Sequence, residues 1–173
     1  MDQQVNSRES ASRPPQGEYE HSREIDYVVN IIKELPSLGE RKNLSKQQVE
    51  SLYVLGYQLY EAQCYQEAAD LFRFLCFFES RVARNWIALG GAYQHSKHHD
   101  NALAAFTMAC LLDPHKPEPR FYAAHTLIDL QDLPLALQSI NITIELCQNN
   151  PQHAALYRRS MALRNALIAH INH

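Results

Sequence analysis

Apolar residues follow helical spacing along most of the chain. Ile25, Val28, Val29, Ile32 and Leu35 recur at three and four residues, the stripe of an amphipathic helix that Pro36 and Gly39 bring to a stop. Ser45 stands three residues before Gln48 and just ahead of Val49 and Leu52, which predicts a capping box and a second helix. Residues 1–20 carry no such stripe. Ser7, Ser10, Ser12, Pro14, Pro15 and Gly17 leave too little apolar surface there to offset the entropy of ordering, so a disordered head is expected, followed by an N-terminal helix and linker over 21–48.

The pattern also repeats. Gly56, Gly90 and Ala124 are evenly spaced, as are Leu55, Leu89 and Ala123, then Ala68, Ala102 and Ala136, then Phe72, Phe106 and Ile140, with a step of 34 in every set. The middle unit reads Trp86-x-x-Leu89-Gly90-x-x-Tyr93, then Ala102-x-x-x-Phe106, Ala109 and Pro114, which is the tetratricopeptide repeat (TPR) pattern. Each unit is a pair of antiparallel helices. Small residues at Gly90 and Ala102 let the backbones approach, Trp86, Tyr93 and Phe106 fill the space between them, and Pro114 ends the second helix. The repeats are expected at 49–82, 83–116 and 117–150. Pro151 suits a first helical position, and Ala154, Ala155, Tyr157, Leu163, Leu167 and Ile171 supply a capping helix over 151–173. The predicted fold is all-α: three tandem repeats between an N-terminal helix and a C-terminal cap.

Composition supports that reading. Only 5 of 173 residues are glycine, which leaves few phosphate-cradling loops or β-turns, and 46% hydrophobic residues suffice for a real core. A net charge of −3 lacks the basic excess of a nucleic-acid binder. The first seven residues are polar and acidic, unlike a signal peptide, and the greasiest run, Phe74 to Phe78, is far too short to span a bilayer, so a soluble cytoplasmic protein is expected.

No catalytic constellation emerges. His95, His98 and His99 have a spacing that could gather imidazoles, but they fall at the join of the two helices of repeat two and read as a solvated turn. Cys64, Cys76, Cys110 and Cys147 form no CxxC pair and read as small buried hydrophobes. No enzyme, cofactor or metal is predicted.

Function is therefore sought in the concave groove, which the first helix of each pair lines. With Leu52, Leu55, Gly56 and Leu59 committed to the partner helix, Tyr53, Tyr57 and Tyr60 fall on the adjacent stripe. Steps of 34 extend it to Ile87, Gly91 and Gln94 and to Phe121, His125 and Ile128. Tyrosine combines apolar area with a hydroxyl at low entropic cost, which suits the grip on an extended peptide. Tyr53, Tyr57 and Phe121 are the expected anchors, separable from a core of Leu52, Leu55, Leu59, Trp86 and Leu89. The alternative is that the tyrosines pack beneath helix 25–35. Glu50, Glu61, Glu118 and Asp129 would repel the Glu-Glu-Val-Asp tail that some TPR clamps bind. Residues 49–150 hold six bases against eleven acids, whereas the cap carries Arg158, Arg159 and Arg164 and no acid.

Three stretches also resemble the class II chaperones of bacterial type III secretion systems. They are Leu52-Tyr53-x-Leu55-x-Tyr57-x-x-Tyr60, Ala68-x-x-Leu71-Phe72-Arg73-Phe74-Leu75-Cys76, and Glu118-Pro119-Arg120-Phe121-Tyr122-Ala123-Ala124. The resemblance spans about residues 25–165. It implies a client among the hydrophobic translocator proteins that form a pore in the host membrane, held as an extended P-x-L-x-x-P segment in the groove and kept soluble before secretion. It also allows a homodimer through the N-terminal helix and a regulatory role. The other reading of the residues is a TPR adaptor that joins two proteins without solubilising either.

Overall fold

The computed structural model describes residues 44–171. The head and the amphipathic stripe at 25–35, with any dimer through it, lie outside these residues.

Helix α1 (Lys46–Glu61) begins with the capping box expected at Ser45. The Gln48 amide donates to Ser45 Oγ at 3.2 Å, and the Ser45 amide donates to Gln48 Oε1 at 2.8 Å. Then follow α2 (Tyr65–Phe78), α3 (Ala83–His95), α4 (His99–Leu112), α5 (Glu118–Asp129) and α6 (Leu133–Cys147). A single 3-10 turn, Pro151–His153, leads into α7 (Ala154–Ile171). The described residues are all-helical, and each helix packs on the next in the chain, as in a TPR array.

The repeat period is visible in the backbone. Gln63, Lys97 and Gln131 adopt φ of 62°, 66° and 63°, each just after the first helix of a pair. The amide after each of them returns to a helix carbonyl, Cys64 to Leu59, His98 to Tyr93 and Asp132 to Leu127, all at 2.9 Å. This is the left-handed helix stop usually given to glycine, here made by long polar residues that bear its steric cost.

The core has the same period. Ala68, Ala102 and Ala136 are fully buried, and Phe72, Phe106 and Ile140 are at most 1% exposed. A Cβ on Gly56 would lie 2.7 Å from the Phe72 ring, and one on Gly90 would lie 2.6 Å from the Phe106 ring. Glycine is thus required where the facing residue is phenylalanine. In the third pair the facing residue shrinks to Ile140, and Ala124 takes the glycine position with its methyl group fully buried.

Candidate functional site: a concave aromatic cavity

Helices α1, α3 and α5 border a cavity of about 260 Å³. Tyr53, Tyr57 and Tyr60 form the wall from α1; Ile87, Ala88, Gly91, Gln94 and His95 come from α3, and Tyr122 from α5. Phe72 and Phe106, the rings seated on Gly56 and Gly90, reach through to the floor. Gly91 leaves the centre open, because a Cβ there would meet only the Tyr60 ring, at 3.7 Å.

The three tyrosines differ in their surroundings. Tyr57 is 52% exposed. Tyr53 is half-buried, with its ring 5.7 Å from Phe72 and the Arg84 guanidinium 4.4 Å above its centre. Arg84 in turn pairs with Glu50 through both guanidinium branches, holding that carboxyl below its usual range. Burial raises the pKa of both the Tyr53 and Tyr60 hydroxyls, so both stay protonated donors. Tyr60 closes the far wall: His95 meets it edge-on at 5.3 Å, and Tyr65, stacked on His95 at 4.8 Å, meets it at 5.4 Å.

His95, His98 and His99 all lie at the join of α3 and α4, but their rings turn to different partners. His95 ends α3 and is drawn onto Tyr60 and Tyr65, because its ring completes an aromatic cluster there. Ser96 Oγ lies 3.0 Å from His98 Nδ1, and His99 Nδ1 faces Asp129 at 3.5 Å. Among the described residues, no group of three His, Cys, Asp or Glu side chains could hold a metal ion. All four cysteines are free thiols; burial pushes Cys76 up to about 12, which leaves it inert.

The third-repeat positions lie elsewhere. Phe121, at 2% exposure, belongs to the core that joins α5, α6 and α7, and Ile128 is half-buried against the same core. The capping helix lays the Arg159 guanidinium 4.8 Å above the Phe121 ring, and His125 meets that ring's edge at 4.7 Å. Burial, reinforced by Arg159 and opposed by Asp129, holds the His125 pKa low. The expectation that Phe121 could be truncated without harm to folding is therefore corrected: cover by α7 turns it into a core residue. Tyr122 and His95, which the groove stripe omitted, complete the cavity. Tyr122 stands one repeat period after Ala88, in a neighbouring row that could have been read from the sequence.

Among the described residues no helix is long and apolar enough to cross a membrane. The tetratricopeptide repeat family profile matches residues 49–80. The low calcium response locus protein H of Yersinia pseudotuberculosis is 25% identical over 138 residues, 80% of this chain and 82% of that one. PcrH of Pseudomonas aeruginosa, solved with the chaperone binding region of PopD, is 30% identical with a TM-score of 0.72, over 74% of this chain and 96% of PcrH. The Yersinia enterocolitica type III secretion chaperone SycD, solved with a peptide of the translocator YopD, is 26% identical with a TM-score of 0.69, over 72% of this chain and 95% of SycD.

Proposed function

The chain belongs to the translocator chaperones of type III secretion systems, and from that premise we propose that its concave cavity holds an extended, partly apolar segment of a hydrophobic translocator. The protein is a chaperone that keeps such clients soluble and apart before secretion. PcrH and SycD bind segments of PopD and YopD, and the cavity between α1 and α3 is the feature here with the shape for an equivalent segment. The single observation that carries the reading is the open centre at Gly91, flanked by an exposed Tyr57 and floored by Phe72 and Phe106.

The mechanism is masking. Each Å² of client apolar surface withdrawn from water contributes about 25 cal/mol, so a groove that hides a few hundred Å² shifts the client from aggregate to complex. Tyr57 supplies exposed apolar area, while the Tyr53 and Tyr60 hydroxyls remain donors for the carbonyls of an extended chain. No step of this mechanism uses a cofactor or catalysis, and the place of action is the bacterial cytoplasm, where the client is made.

The test is co-expression with a hydrophobic translocator of a type III secretion system, comparing the parent with Gly91→Leu. The parent should raise the soluble fraction of the client. Gly91→Leu should melt like the parent, because its side chain enters the cavity and its Cβ meets Tyr60 only at an ordinary 3.7 Å, yet lose at least tenfold in client affinity. A client equally soluble with both, or insoluble with the parent, would sink the reading in favour of an adaptor or a different binding face.

A further inference from the structure

We infer that the groove reads charge as well as apolar shape: Arg159, laid on the Phe121 ring beside His125, receives one acidic side chain of the bound segment. The inference rests on the groove reading and names the client chemistry it requires.

Three observations carry it. The first is position. Tyr57, Gly91, His125 and Arg159 follow one another at the repeat period, so the row that borders the cavity in the first two pairs runs on through α5 to the capping helix. Arg159 stands where the stripe would place its next groove residue, and it is exposed.

The second is a comparison of two stacks. At one end of the groove Arg84 covers Tyr53, and the chain itself supplies the carboxylate, Glu50. At the other end Arg159 covers Phe121, and among the described residues no carboxylate comes within 4.0 Å of it. A guanidinium stacked through its face keeps its N–H edge for a planar anion. Phe121 is held in the core, so the platform is pre-organised.

The third is the state of the neighbours. The acids of α5 lean toward histidines, Glu118 toward His153 Nδ1 at 3.8 Å and Asp129 toward His99 Nδ1 at 3.5 Å, and neither comes within 4.0 Å of Arg159. His125, its pKa lowered by burial and by Arg159, is neutral at neutral pH and can hydrogen-bond without adding charge. Glu118 and Asp129 limit the acceptance to a single carboxylate, since a run of acids would meet their repulsion.

The probe is a set of synthetic P-x-L-x-x-P peptides with blocked termini, serine at the other positions and one Glu moved along the segment and its flanks, each matched by its Gln counterpart. Binding is read by fluorescence anisotropy. The expected result is a single register in which Glu binds roughly tenfold tighter than Gln, with the gain shrinking in raised salt. Arg159→Gln should erase that difference, and so should Arg159→Met, which keeps apolar cover over Phe121 and separates charge from packing. Arg158→Gln should leave it intact. If the peptides bind but Glu and Gln are equal in every register, or if the preference survives both Arg159 variants, the carboxylate site is overturned while the cavity reading stands. If no peptide binds the parent, the groove reading fails and this inference falls with it.

Discussion

Gly90 lies against the Phe106 ring so closely that an added Cβ would sit 2.6 Å from its edge. Phe106 is 1% exposed and packed with Ala102 and Ala123, so its ring can give way only at the expense of those contacts. Gly90→Ala should therefore destabilise by ~1–3 kcal/mol despite the better helix propensity of alanine. Gly91→Ala, one residue on and facing the cavity, should be neutral or slightly stabilising. Urea unfolding of the two variants beside the parent checks the contrast; equal midpoints for both would mean that the close approach of α3 and α4 is wrong.

Tyr57 and Phe121 are indistinguishable as groove anchors in sequence, but they should part in experiment. Tyr57→Ala removes a half-exposed ring and should weaken client binding by roughly 1–3 kcal/mol with little change in melting temperature. Phe121→Ala empties a core site and should cost ~3–5 kcal/mol of stability. Thermal melts with calorimetry on the same samples decide. An early melt for Tyr57→Ala with binding retained at low temperature would instead place that ring beneath a further segment of the chain.

His125 should leave a signature in acid. Burial first, and Arg159 second, lower its pKa below the ordinary 6.5, so the unfolded chain takes up this proton before the folded one does. The contribution is complete above pH 6.5 and is lost as pH falls below it toward the folded value. His99 facing Asp129 and His153 facing Glu118 are common to parent and variant and cancel in a comparison of the two. The measurement is thus the difference between parent and His125→Gln, by urea unfolding at successive pH values. The variant should lose less stability below pH 6.5; identical slopes would show that the ring is solvated in both states.

Local rules and the repeat period made the array legible in the sequence. Helix starts, the capping box at Ser45 and the matched sets Gly56/Gly90, Ala68/Ala102/Ala136 and Phe72/Phe106/Ile140 depend on near neighbours or on a register that the repeat states outright. The tyrosines of α1 could be assigned to one stripe for the same reason. Tertiary structure alone decided which of these positions stay open. Phe121 occupies the same register as Tyr53 and Ile87, but α7 folds over it and brings Arg159 onto its face, a contact between distant parts of the chain that no periodicity encodes. His95 joined the cavity because Tyr65 of the preceding pair was there to stack on it. Spacing within a helix sets the direction of a side chain; whether that direction meets solvent or another helix depends on which elements pack next to it, and that is a property of the folded chain.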